Sequence, residues 1–424
     1  MEPILARRGL SSCSSGATAA RIGAQMTPRN LLVVQGGGPT QVLNATLAAI
    51  VEESHAHGQF SRIFGARLGL KGFADGAAID LGNLSPADLD LLRATPGAAL
   101  GSSRAKPSED DLERFLERLR QHHIHDILFA GGNGTMLGAE SVSRHCRQAS
   151  QASYDVRVLG IPKTVDNDIA VTDRCPGYAS AARYIAQSTR DLGLDVRSLP
   201  QPVSILETMG RSVGWLAAAT AAGKRDEQDA PHLVYIPERP FDMDQFLASL
   251  DRIVSQQGWA VVAVAEGIRN RDGSFVYQVA DPAQADPLQR PLTGGVAQFL
   301  ADTVAHHLHM RCRSEKPGLL GRSSMLHVSS QDMKDADLVG RAAVRGLLAG
   351  ETGKMVALLP LEDPGATGYA FVELSNVVEI ERPIPASWTA DGAIPVNDRF
   401  FQYLEPLIGS LVPYCAPLPV ERLF

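Results

Sequence analysis

The fold is decided by the stretch Leu31-Leu32-Val33-Val34-Gln35-Gly36-Gly37-Gly38-Pro39-Thr40, a β-rich run that passes through three glycines and a proline into the apolar segment Val42–His55. A β-rich run ended by turn residues reads as a strand, and the segment after it reads as a helix. Glycines at such a junction let backbone N–H groups face an anion without interference from Cβ atoms, and the following helix adds its N-terminal partial charge. A glycine run after a strand also serves simply as a tight turn, so this loop alone leaves both readings open.

Outward from this unit the same alternation recurs. Strand-like runs are Leu31–Gln35, Ile63–Ala66, Ile127–Ala130, Val156–Gly160, Val203–Leu206, Leu233–Ile236 and Ala260–Val264. Helix-like segments between them include Val42–His55, Asp110–Arg120, Met136–His145, Ala181–Leu192, Val213–Ala222, Met243–Ser255 and Val296–His309. Strand-then-helix alternation predicts an α/β protein with mainly parallel sheets, in which ligands bind beyond the carboxyl ends of the strands. The 424 residues suffice for two or three domains at roughly 150 residues each.

Composition narrows the function classes. Apolar residues make up 44% and charged residues 21%, the values of an ordinary globular protein. The longest apolar runs, such as Trp259–Ala265, fall far short of the roughly 20 residues that cross a bilayer. A net charge of −7 is the wrong sign for a general phosphate-backbone surface, so nucleic acid is not an expected partner. Cys13, Cys146, Cys175, Cys312 and Cys415 form no C-x-x-C pair and no even framework, which fits a reducing, cytoplasmic setting. Residues 1–29 carry Arg7, Arg8, Arg21 and Arg29 against only Glu2; an extension or over-long start before Met26 is expected rather than a targeting signal.

Two further loops follow strands directly. Ala130-Gly131-Gly132-Asn133-Gly134-Thr135 is not a dinucleotide fingerprint, because Leu137 stands where the third glycine belongs, and no P-loop pattern occurs in the chain. Its bare amides, side-chain oxygen and hydroxyl suit a polyphosphate with its metal. Gly160-Ile161-Pro162-Lys163-Thr164-Val165-Asp166-Asn167-Asp168 gathers a candidate base, a metal-leaning acid and a phosphate-directed cation in one short loop.

Taken together these patterns resemble the phosphofructokinase family, in which G-G-G-P, G-G-[DN]-x-[ST], P-[GK]-T-[IV]-D-N-D and M-G-R occur in this order. Here they stand as Gly36–Pro39, Gly131–Thr135, Pro162–Asp168 and Met209–Arg211, with further matches at Gly101–Arg104, Ala265–Gly267 and Leu320–Ser324. The resemblance implies two similar Rossmann-like α/β domains with the active site in the cleft between them, and transfer of a phosphoryl group to the 1-hydroxyl of fructose 6-phosphate. Residues 30–177 with about 321–375 would bind the donor, and 178–320 with about 376–424 the sugar phosphate. Asp166 matches the base, assisted by Lys163 and Arg211. Gly37, Gly134 and Lys163 match donor-phosphate positions, and Asn133 and Asp168 match the Mg²⁺ side. Thr164, Val165, Met209, Gly210, Arg211, Glu266, Leu319 and Arg322 match sugar-phosphate positions. Arg313 matches one that reaches over from a neighbouring subunit, which implies a homodimer or larger homo-oligomer.

The donor is marked by two residues that point apart. Lys163 replaces a glycine of common ATP-dependent enzymes and favours pyrophosphate. Gly134 stands where many pyrophosphate enzymes carry an aspartate, which leaves ATP as the alternative donor. The stretches Gly210–Ala219, Gly321–Ser324 and Leu374–Trp388 resemble the bacterial pyrophosphate-dependent branch, so pyrophosphate is the expected donor.

Competing signals are weaker. Gly210-Arg211-Ser212-Val213-Gly214 fits the hydrolase pattern G-x-S-x-G, but no ordered acid-then-histidine pair stands out downstream, and a phosphate-binding turn at a helix start explains the same residues. The clusters His122/His123/His125 and His306/His307/His309 read as surface histidines near helix ends rather than zinc ligands. A non-catalytic regulatory relative would have no need of Asp166, Asp168 and Arg211.

Overall fold

A computed structural model of the chain describes residues 29–103, 108–149, 154–198, 203–278, 294–361 and 368–415. The extension 1–28 and Arg104 of the Gly101–Arg104 match lie outside the described residues. The chain opens β1 (Arg29–Gln35), α1 (Leu43–His57), β2 (Phe60–Ala66), α2 (Gly69–Ala74), β3 (Ala78–Asp80), α3 (Pro86–Arg93), α4 (Glu109–Gln121), β4 (Ile124–Gly131), α5 (Asn133–Ala149) and β5 (Arg157–Pro162). It continues through α6 (Tyr178–Ser198), β6 (Val203–Thr208), α7 (Trp215–Ala219), β7 (Leu233–Tyr235), α8 (Met243–Gln257), β8 (Ala260–Ala265), α9 (Val296–Leu308) and β9 (Cys312–Glu315). It closes with α10 (Leu320–Ser323), α11 (Ser330–Leu348), β10 (Lys354–Leu358), β11 (Tyr369–Glu373) and α12 (Asp398–Ile408).

Two sheets result. The first has seven strands in the order β11-β10-β5-β4-β1-β2-β3, parallel from β10 to β2 with an antiparallel strand on each edge. The second has four strands, all parallel, in the order β7-β8-β6-β9. The expected pair of parallel α/β units is therefore present, but the units differ in size.

Alternation along β1 shows why the first sheet is a sandwich. Leu31 and Val33 enter a core with Leu43, Leu47 and Ile50 of α1 and Val339, Ala343 and Leu347 of α11. Leu32 and Val34 enter the opposite core with Phe115 and Leu119 of α4 and Met136 and Val142 of α5. Successive side chains of a strand face opposite layers, so both faces must be apolar. The second sheet packs α6, α7, α9 and α12 around Trp215, Phe246 and Phe400.

In the first sheet β2 lies on one side of β1 and β4 on the other, so chain direction across the sheet reverses between β1 and β4. A crevice opens at such a switch point beyond the carboxyl ends of the strands. The glycine loops after β1 and β4 are at that crevice. The loops after β6 and β8 occupy the corresponding edge of the second sheet.

Candidate active site

The loop after β1 is shaped by absent side chains. Gly37 has φ +76°, a conformation that L-residues other than glycine seldom adopt. The Thr135 hydroxyl lies 2.4 Å from where a Cβ of Gly36 would be and 2.1 Å from one on Gly131, so side chains at either position would drive the two loops apart. Gly37 N–H donates to Ser103 O at 3.2 Å, and Ser102 Oγ donates to Gly37 O at 2.5 Å. From the end of β5, Lys163 reaches under this loop; its Nζ donates to Gly36 O at 3.0 Å and also to Gly38 O. Lys163 is only 3% exposed, so a cation is built into the floor of the loop. A Cβ on Gly134 would meet nothing within 4 Å, which leaves open space beside the loop after β4.

The aspartates follow Lys163. Asp166 N–H donates to Thr164 Oγ1 at 3.0 Å, and the chain then turns through Asn167 at φ +57°. Asn167 is wholly buried. Its Oδ1 accepts from Cys175 N–H at 3.1 Å and its Nδ2 donates to Tyr403 Oη at 2.9 Å. Val165 is buried in the core of the second sheet, which ties the loop to both halves. Asn133 Nδ2 donates to Asp168 Oδ2 at 2.8 Å, while Asn133 Oδ1 and Asp168 Oδ1 are buried without a hydrogen-bond partner. Two orphaned hard oxygens on two side chains in direct contact are a fitting donor set for a cation such as Mg²⁺. Among the described residues no cluster of three His, Cys, Asp or Glu side chains could hold a metal, so a cation here would draw its other oxygens from substrate and water.

Electrostatics mark Asp166. Desolvation pushes its carboxyl up to about 7, reinforced by Asp168 and Glu266 and opposed by Arg211 and Lys163. Burial likewise raises Asp168, against the pull of hydrogen bonds from Thr164 and Asn133. Glu266 is raised by burial against the Arg211 N–H that it accepts. An acid poised near neutrality is what proton transfer at physiological pH requires.

On the second sheet, Met209-Gly210-Arg211 leaves β6 with Gly210 at φ +135° and Arg211 at φ +47°. Arg211 N–H donates to Glu266 Oε1 at 3.2 Å, and Glu266 N–H to Thr208 O at 3.0 Å. A Cβ on Gly267 would lie 1.7 Å from Arg211 O, so this turn can form only over glycine. Met209 shares a small cavity with Tyr184, Glu207, Pro317 and Gly321. Gln41, just after the first glycine loop, donates to Gly321 O at 3.1 Å and joins the halves. Arg322 is half-buried on α10, and Leu319 at its start is 66% exposed.

Arg313 is set apart. It pairs with Ser204 on β6 and lies beside Asp195 near the end of α6. That is four residues before Thr208, or ~13 Å at the rise of a strand, toward the opposite end of the sheet from Arg211. The histidine clusters lie at the ends of α4 and α9, with His122, His123, His306 and His307 exposed. The sequence pattern does not reveal the roles of Gln41, Tyr403 and Arg382. For Asn167 a signal exists, since asparagine tolerates the left-handed region better than other residues.

Two loop sets, one glycine-rich with a buried lysine and a buried acid and the other carrying an arginine turn, have the build of a phosphotransferase. The family model for phosphofructokinase matches residues 30–347, and the chain belongs to that family. It is 37% identical over 398 residues to a pyrophosphate–fructose 6-phosphate 1-phosphotransferase of Xanthomonas campestris, covering 92% of this chain and 93% of the relative. To the protein of the same name in Rhodospirillum rubrum it is 35% identical, over 90% of this chain and 95% of that one. The crystal structure of a pyrophosphate-dependent phosphofructokinase from Nitrosospira multiformis superposes with a TM-score of 0.80 at 32% identity, covering 92% of this chain and 95% of that one.

Proposed function

We propose that the protein transfers a phosphoryl group from pyrophosphate to the 1-hydroxyl of fructose 6-phosphate, yielding fructose 1,6-bisphosphate and phosphate, and that it runs in both directions. The relatives' names support the substrates. The observation that carries the donor assignment is the Lys163 ammonium, buried beneath the Gly37 loop and held by the Gly36 and Gly38 carbonyls. A fixed cation there stabilises charge on a transferring or departing phosphate without reorganising at the moment of reaction.

Asp166, when ionised, takes the proton of the attacking hydroxyl while Thr164 and Val165 shape the loop around it. Arg211, Met209, Gly210, Glu266, Leu319 and Arg322 receive the sugar phosphate, and Gly37 and Gly134 border the donor. Asn133 and Asp168 would hold Mg²⁺, as their orphaned oxygens fit. When bound, the ion neutralises donor charge, and alignment with charge neutralisation accounts for most of the catalysis of phosphoryl transfer. Residues 30–177 with 321–375 form the donor half, and 178–320 with 376–424 the sugar half. The enzyme works in the cytoplasm as a homodimer in which Arg313 serves the neighbouring site.

The second reading, ATP as donor, draws on the open space at Gly134. Initial rates with pyrophosphate and with ATP at equal Mg²⁺ separate the two. Bisphosphate formation from pyrophosphate at a rate well above that from ATP is expected; formation from ATP alone overturns the assignment.

A further inference from the structure

The turn that carries both aspartates is braced from a distant part of the chain. Residues Glu381–Ile384 cross beneath it. Arg382 N–H donates to Asp168 O at 2.9 Å, and Ile169 forms a bridge with Glu381. The Arg382 side chain does more: Nη1 donates to Asn167 O at 3.3 Å while the guanidinium lies over the Trp215 ring, 4.4 Å from its centroid, with the Tyr403 ring at 5.9 Å. Trp215 Nε1 in turn donates to Arg382 O at 3.0 Å. Trp215 begins α7, the helix that follows the Arg211 turn. Two residues on, Ile384 N–H donates to Glu238 Oε1 at 3.0 Å, and the same oxygen accepts Gly214 N–H at 2.9 Å.

One segment thus grips the aspartate turn on one side and the end of the arginine turn on the other. We infer that Arg382 is a positioning residue for Asp166: its guanidinium, stacked on Trp215, clamps the left-handed Asn167 carbonyl and so fixes the base relative to the sugar-phosphate turn. The cation–π contact uses the face of the planar group and the hydrogen bond uses its edge, a combination that an ammonium reproduces only in part.

This inference rests on Asp166 being the base. The test compares full-length wild type with Arg382→Ala and Arg382→Lys, using steady-state kcat and sugar-phosphate KM with pyrophosphate, with the folded fraction of each protein followed by circular dichroism. Arg382→Ala should lower kcat ~10-fold or more, as small misplacements of a reacting group do, with the sugar-phosphate KM within about twofold. Arg382→Lys, which keeps the charge and a hydrogen-bond donor, should recover part of the lost kcat. Unchanged kcat overturns the inference, as does a rise in sugar-phosphate KM at constant kcat or a loss of kcat that merely follows the fraction of folded protein. If Arg382→Ala does not fold, Arg382→Lys is judged by the same two quantities. A wild type inactive with both donors defeats the proposed function, whereas an active wild type with an equally active Arg382→Ala protein defeats only the role of Arg382.

Discussion

The half proposed to bind the donor and the half proposed to bind the sugar are built differently. Around Gly37 the site is made of backbone and of a lysine that is 3% exposed, with Thr135 wedged against two glycines and Asn133 tied to Asp168. Around Arg211 it depends on elements that come from far along the chain: Glu266 after β8, and the four-residue α10 with Leu319 and Leu320 at 66% and 63% exposure. Arg313 does not reach the turn within one chain. A preformed half spends little on ordering when substrate arrives, so damage there should fall on kcat. A half that completes itself on binding should show damage first in KM.

The largest effect is expected at Asp166, where the halves meet. Asp166→Asn should cost ~10²–10⁴-fold in kcat, the usual weight of a general base. The same change should raise stability at pH 8. The folded carboxyl titrates near 7, above the 3.8 of an ordinary aspartate, so the folded state holds the proton more tightly and ionisation between those values destabilises it. The gain in Tm of Asp166→Asn over wild type should therefore be greatest at pH 8 and shrink toward pH 4. Equal Tm values for the two proteins at pH 8 would contradict the raised pKa. In wild type, forward kcat should climb as pH passes through about 7.

Next comes Lys163→Met, which keeps the aliphatic stem but removes the charge and strands the Gly36 and Gly38 carbonyls. A drop in kcat of ~10²-fold with an unchanged sugar-phosphate KM is expected, since a cation aimed at developing charge is felt chiefly in the transition state. A rise in KM at constant kcat would erase the contrast between the halves.

Much of this contrast could be read from the sequence, and the exceptions have physical causes. The glycine loops and the Asp166–Asp168 motif are local, each following a recognisable buried strand, and all seven strands expected from β-rich runs are present. Cys312–Glu315 escaped because its polar side chains carry no strand signal; register against β6 makes it one. Ala78–Asp80 and Tyr369–Glu373 are antiparallel edge strands outside the strand–helix rhythm. Arg382 stands 215 residues from the carbonyl it holds, in a segment without regular structure, and nothing in its neighbours' identities announces the pairing.

A paired glycine substitution sharpens the comparison further. Gly267→Ala would put a methyl 1.7 Å from Arg211 O and force the arginine turn to move, so the sugar-phosphate KM should rise ~10-fold or more. Gly134→Ala would meet nothing within 4 Å and sits in the first turn of α5, where alanine is the better helix former. It should leave the sugar KM unaltered and Tm equal or slightly higher. Kinetics and thermal melts on the two variants side by side check both statements.

The smallest effect belongs to Arg313→Ala, a few-fold rise in sugar-phosphate KM, the scale of losing one phosphate-directed cation at an exposed position. Its value lies in a mixing experiment. In a dimer with shared sites, a subunit carrying Arg313→Ala but an intact Asp166 can borrow Arg313 from a partner carrying Asp166→Asn. Each mixed dimer then contains one complete site and one doubly defective one. Co-refolded mixtures should turn over faster at low sugar phosphate than the Arg313→Ala protein alone, although the added subunit is itself inactive. The gain should vanish at saturating sugar phosphate, where the lost arginine no longer limits occupancy. If the mixture shows no gain at low sugar phosphate, Arg313 serves its own chain or none, and the sugar half must then be complete without a neighbour.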